Sequence, residues 1–154
     1  MTNIRTILFT ITFCTLLATL SYAQGGIEIK DAWVRETPPG TSITALYMTI
    51  TNNGDEDDTL TGVSADVSKS AEIHVTSVNS EGVAKMEMVK SVDAPAGKSV
   101  ALEPGGMHIM LIGLAGQPKS GDVVEVELEF EKAGKIKSQA KVQGIKDNTH
   151  EHQH

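Results

Sequence analysis

From residue 27 onward, apolar and polar side chains alternate in short runs broken by turn residues, the two-residue period of strands rather than the 3.6-residue period of helices. Ile27-Glu28-Ile29-Lys30 alternates, and Ala32-Trp33-Val34-Arg35 continues the run until Thr37-Pro38-Pro39-Gly40 stops it. The β-branched run 43–51 ends at Asn52-Asn53-Gly54-Asp55. The runs 60–67 and 71–78 follow, then 83–89 after the polar link Asn79-Ser80-Glu81-Gly82. Ala94-Pro95-Ala96-Gly97 turns the chain into 98–102, and Pro104-Gly105-Gly106 turns it into a strand beginning Met107-His108-Ile109-Met110-Leu111. After a loop at 115–121, the runs 123–130 and 136–142 flank a turn at Ala133-Gly134. About eight or nine short strands with turns at close intervals predict a single all-β domain, an antiparallel sandwich or barrel. Residues 144–154 are polar and read as a disordered tail.

The first 23 residues follow a different pattern. Arg5 precedes an apolar run, 7–20, and Ser21-Tyr22-Ala23 stands before Gln24. This predicts a secretory signal peptide cut after Ala23, since a bilayer span needs roughly 20 apolar residues. Cys14 lies inside that run, and Ile11-Thr12-Phe13 before it is no lipoprotein box. The expected product is a periplasmic protein with no membrane insertion after cleavage, organised as a domain over 24–143 and a tail over 144–154. Cleavage removes the only cysteine, so neither a disulfide nor a thiolate metal site remains. The whole chain carries a formal charge of −7, one unit more negative once Arg5 leaves. An acidic chain without a basic cluster argues against nucleic acid or an anionic membrane surface as partner.

Against this background the histidines and methionines change the picture. On a strand, His108 and Met110 share one face, about 7 Å apart by strand rise, while Ile109 and Leu111 share the other. His74 lies on the polar face of its run with Glu72 and Thr76, opposite Ile73 and Val75. Lys85 and Glu87 take one face of the run 84–88, Met86 and Met88 the other. By pattern alone, Met88 reads as inward packing and Met86 is equally well packing or ligand. Four of the six methionines fall between Met86 and Met110. Thioethers are soft donors that select Cu(I), imidazole serves copper in both oxidation states, and zinc prefers thiolate or carboxylate beside histidine. Two histidines and two methionines without cysteine therefore point to Cu(I).

The spacing of these residues resembles that of the periplasmic copper chaperones called PCu(A)C. Their signature is His, an optional Met, ten residues, Met, twenty-one residues and His-x-Met. Here His74 is followed by Val75 in place of the optional Met, then by Met86 after ten residues and by His108-Ile109-Met110 after twenty-one. The resemblance extends to Ala32-Trp33-Val34-Arg35-Glu36-Thr37-Pro38-Pro39-Gly40, to Tyr47-Met48-Thr49-Ile50-Thr51-Asn52 and to Leu102-Glu103-Pro104-Gly105-Gly106. It implies a cupredoxin-like, Ig-like β-sandwich. It also implies one Cu(I) on His74, Met86, His108 and Met110, carried to a copper-accepting oxidase subunit of CuA type or to another assembly chaperone. Met107, like Met88, is expected to pack rather than bind.

The tail sequence Thr149-His150-Glu151-His152-Gln153-His154 adds a second candidate. Its imidazoles at His150, His152 and His154, without a thioether, suit Cu(II), Zn²⁺ or Ni²⁺, with Cu(II) the copper form expected there. Other function classes fare worse. A blue-copper electron carrier needs a cysteine ligand, and no nucleophile–base pair with motif support suggests an enzyme. A monomeric metallochaperone is the expected function, and a periplasmic scavenging or storage protein is the alternative that shares the same site.

Overall fold

The computed structural model describes residues 26–144, all of it strand, turn and loop. The strands in chain order are β1 (Ile27–Arg35), β2 (Ile43–Asn52), β3 (Asp58–Ala65), β4 (Ser68–Val78), β5 (Ala84–Val89), β6 (Val92–Ala94), β7 (Ser99–Leu102), β8 (Met107–Leu114), β9 (Val123–Phe130) and β10 (Gly134–Gln143). The all-β expectation holds. Turn residues bound nearly every strand where expected, but residues 60–67 do not form one strand: β3 ends at Ala65 and a tight turn at Asp66-Val67 starts β4. β6 escaped the sequence pattern because three residues are too few to show alternation.

Hydrogen-bonded neighbours run β5-β4-β8-β2-β1-β10-β9-β3-β6, with β7 on β2 beyond the end of β8. All pairs are antiparallel except β1 with β10, which run parallel through Trp33–Lys141 and Val34–Val142. That pair ties the first strand of the domain to the last. The apolar face wraps around one core, whose fully buried centre includes Val34, Leu46, Leu60, Ile109, Leu111 and Leu128.

β1 shows how local chemistry sets which side chains face this core. Ile29 pairs with Ile50 and Val34 with Leu46, so five residues of β1 span four of β2. A β-bulge absorbs the extra residue and lets odd-numbered Ile29 and even-numbered Val34 both point inward. Asp31 lies in this bulge with φ 50°, the only positive φ of a non-glycine among the described residues. The bulge also turns Trp33 outward beside Tyr47, its partner on β2. At the other end of the site, Gly106 N–H donates to the Glu103 carbonyl at 3.1 Å across Pro104-Gly105, and Gly105 has φ 83°. Proline followed by a residue of positive φ is the arrangement of a type II turn. This turn starts β8 and fixes where His108 and Met110 fall.

Candidate metal centre

β4, β8 and β2 are adjacent, so their outward residues form rows across one sheet face. In the β4–β8 ladder His74 stands directly opposite His108, and Glu72 opposite Met110. On the far side of β8, Ala45 opposes Met110. On the far side of β4, Met86 of β5 opposes Thr76 and Met88 opposes His74. All four ligand candidates named from the sequence, His74, Met86, His108 and Met110, thus share one face, with core residues Ile73, Ile109 and Leu111 on the other.

The two imidazoles stack at 6.1 Å between centroids, 28° apart in plane. Tyr47 lies 6.3 Å beyond His108, and Trp33 lies 4.5 Å beyond Tyr47. The Arg35 guanidinium sits 5.7 Å from the centroid of the Tyr47 ring. Burial pushes the Tyr47 phenol above its ordinary value, with Arg35 opposing it, so Tyr47 stays neutral and serves as a wall. His108 itself is buried. A cavity of about 440 Å³ opens here, lined by Met86, His108, Met110, Tyr47, Arg35 and Pro38 among others. His74 does not line it directly but abuts it through its stacking on His108. A slightly larger cavity of about 490 Å³ near Asp31 and Trp33 holds no imidazole, and its only thioether, Met48, belongs to the core. Volume alone favours that cavity, and donor chemistry favours the one beside His108.

The outer hydrogen bonds settle which nitrogen of each ring is free. His108 Nδ1 lies 3.1 Å from the Gly106 carbonyl. A carbonyl only accepts, so Nδ1 carries the proton and Nε2 keeps its lone pair. His74 Nε2 lies 3.0 Å from Glu72 Oε2. A carboxylate acceptor there takes the N–H of Nε2, and in the neutral ring this leaves Nδ1 as the lone-pair nitrogen. That atom is buried with no hydrogen-bond partner among the described residues. A metal-binding histidine is commonly held this way, its second nitrogen donating to a carboxylate or carbonyl. An orphaned buried nitrogen is costly unless something binds it.

The donor set is also selective. Among the described residues, no group of three or more His, Cys, Asp or Glu side chains is placed to hold a metal ion. A complete coordination sphere on this face needs sulfur. The thioethers lining the cavity are Met86, half-exposed, and Met110, partly buried. Met107 packs against the core, as expected. Met88 does not pack inward. It is 63% exposed and lies on the same face as His74, because β5 is an edge strand with no layer outside it. The sequence pointed to Glu72 through its shared face with His74. Alternation alone gave no sign that Tyr47 and Trp33 stand around the site, since ladder register brings them there, while the turn before β8 places Gly106 two residues from His108. His150, His152 and His154 of the proposed second site lie outside the described residues.

Residues 27–142 match the family model described as "LpqE-like: Putative lipoprotein LpqE-like". The putative lipoprotein Lxx21020 of Leifsonia xyli subsp. xyli is 33% identical over 106 residues, 68% of this chain. Protein RP573 of Rickettsia prowazekii is 29% identical over 113 residues, 71% of this chain. The matched part spans 62% of each of those two proteins. Among solved structures, a copper-bound PCuAC domain from PmoF2 superimposes with a TM-score of 0.68 at 29% identity, covering 80% of this chain and 97% of that domain. The Cu(I) form of DR1885 from Deinococcus radiodurans superimposes at 0.60 with 32% identity, covering 75% of this chain and 76% of that one. The resemblance to PCu(A)C proteins and the sandwich fold are both borne out.

Proposed function

Because the chain belongs to the LpqE-like family and has the fold of PCuAC domains, we propose that it is an exported copper chaperone. It binds one Cu(I) through His74, Met86, His108 and Met110 and passes it to a copper-accepting protein. The acceptor is a CuA-type oxidase subunit or another assembly chaperone. The protein works outside the cytoplasm after losing residues 1–23, as a monomer and without catalysing a reaction. The leader is cut after Ala23 rather than lipidated at Cys14, although relatives are named putative lipoproteins.

One observation carries the reading. Two stacked imidazoles each have one nitrogen tied to an outer acceptor and one lone pair left over, with thioethers from two strands on the same face. Each part then has a task. Glu72 and the Gly106 carbonyl hold the rings in the tautomer that can bind. Met86 and Met110 make the site soft, which favours Cu(I) over Zn²⁺ or Cu(II). Tyr47 and the buried side of His108 keep water and harder ligands from one flank. Met86, half-exposed on an edge strand, leaves the other flank open to an acceptor's donors. A carrier needs that combination of a closed side and an open one. The chain's three tail histidines form a separate, harder site for Cu(II).

The test is a Cu(I) titration under reductant, followed by transfer from the loaded protein to a purified oxidase CuA domain. One equivalent bound by the wild type and retained poorly by the double variant Met86→Ile, Met110→Ile supports the site. Transfer to the CuA domain supports delivery. Tight binding with no release to the CuA domain favours storage instead.

A further inference from the structure

We propose that Met88 and His74 form an outer landing position for Cu(I) at the β5 edge, through which copper enters and leaves the four-donor site. This inference rests on the copper reading above. Ladder geometry carries it. Met88 is directly opposite His74, whereas Met86 is opposite Thr76, one row along. Side chains directly opposite have Cβ atoms about 4.5–5.5 Å apart, and diagonal neighbours about 7–8 Å. Met88 is therefore the thioether nearer to His74 in the ladder, yet the four-donor spacing leaves it out.

Packing gives Met88 no reason to be there. It is 63% exposed, more than Met86 at 52%, on a strand whose outer edge pairs with nothing among the described residues. The opposite face of the same strand carries the Lys85–Glu87 ion pair. Exposure falls from Met88 through Met86 to His108, which is only 6% exposed. Beyond His108 stand Tyr47 and Trp33. Along the row Met88–His74–His108, approach from the β5 edge thus meets a thioether first.

The exchange involves no redox change and no proton. A Cu–S bond to the exposed Met88 forms as a bond to the donor breaks, and the copper then reaches the buried His74 Nδ1. A bond to Met86 then forms as the Met88 bond breaks, and His108 and Met110 complete the set. Release runs the same steps backwards, with an acceptor's donor replacing Met88. A residue on the route lowers the barrier in both directions and leaves the end states alone. A resting ligand would instead stabilise the bound state and slow release.

The experiment measures loading and unloading of Cu(I) by stopped flow, with a bidentate Cu(I) chelator as donor and then as acceptor, for wild type and Met88→Leu. Leucine keeps the size and removes the sulfur. Both rate constants should fall together by about tenfold, equivalent to about 1.4 kcal/mol on each barrier. In parallel, ¹³C-methyl methionine spectra are followed during titration with Ag(I), a redox-silent stand-in for Cu(I). The Met86 and Met110 methyls should saturate at one equivalent, and the Met88 methyl should shift in fast exchange. Wild-type rates in Met88→Leu with an unmoved Met88 methyl would overturn the landing position. So would faster release with unchanged loading, which would make Met88 a resting ligand. Unmoved Met86 and Met110 methyls would instead overturn the copper site itself, which separates the two failures.

Discussion

His74 is the residue on which the site's chemistry turns. Its Nε2 is committed to Glu72 at 3.0 Å, and its Nδ1 is buried and unpartnered. Glu72→Gln removes the charge that fixes this tautomer, because an amide can donate as well as accept. Outer partners of metal-bound histidines are typically worth about 10–100-fold in affinity. We expect Glu72→Gln to weaken Cu(I) by about tenfold with no change in stoichiometry, read by competition against a chromophoric Cu(I) chelator. Unchanged affinity would mean that Glu72 only solvates the face. Met107→Leu, at a packing position, should leave that affinity unaltered. At this scale the sequence was most readable. Strand parity put His74 with Glu72 and His108 with Met110 on outward faces, and both pairs are there. Parity could not tell Met88 from a core residue. An edge strand alternates like any other, and only the missing neighbour leaves one of its faces bare.

Strands and turns decide whether these faces meet. The sequence marked most strands and the Pro104-Gly105 turn but not the registers, because register depends on which strands pair and on bulges such as that at Asp31. Gly105 should tolerate no side chain well. At φ 83° an L-residue is strained by about 1–2 kcal/mol, so Gly105→Val should lower stability and shift His108, read as both a lower Tm and weaker Cu(I) binding. A second element-level device lies far from the site. The Asp58 carboxylate accepts hydrogen bonds from Thr59 N, Lys132 N and Ala133 N at 2.7, 2.9 and 2.9 Å, pinning β3 to the β9–β10 turn. Burial by itself would raise this carboxyl, but the three N–H donors and the Lys132 charge outweigh it and hold it below its ordinary 3.8. The folded carboxyl is thus the stronger acid. Its contribution to stability is present above about pH 4 and is lost as pH falls from there through the depressed folded value. Asp58→Ala leaves three part-buried N–H donors without their acceptor, at up to about 1–3 kcal/mol for each group that water does not reach. Thermal melts should show the variant several degrees less stable at pH 7, with the gap closing toward pH 3. A constant gap across that range would remove the carboxylate from the explanation.

The whole molecule keeps its scaffold and its metal face apart. The core side chains lie on one face of the sheet and the donors on the other, so folding does not wait for metal. Chelated protein should give the far-UV circular dichroism of a β-sandwich, unlike a zinc finger, which unfolds without its ion. The separation extends to the two proposed copper sites. The core face offers two thioethers and should prefer Cu(I), while His150, His152, His154 and Glu151 offer only harder donors and should prefer Cu(II). The tail's imidazoles sit at alternate positions of a polar segment. Removing 150–154 should abolish at least one Cu(II) equivalent and leave Cu(I) affinity nearly intact, and Met86→Ile with Met110→Ile should do the reverse. A third outcome is distinguishable. If the tail folds back over the open β5 flank, its deletion weakens both ions, and loading with one depends on the other. Copper could then stay bound through a change of oxidation state in one composite site. Isothermal titration of full-length and truncated protein with Cu(II), and with Cu(I) under reductant, separates these cases. Full Cu(II) stoichiometry and affinity in the truncated chain would remove the tail from copper handling altogether.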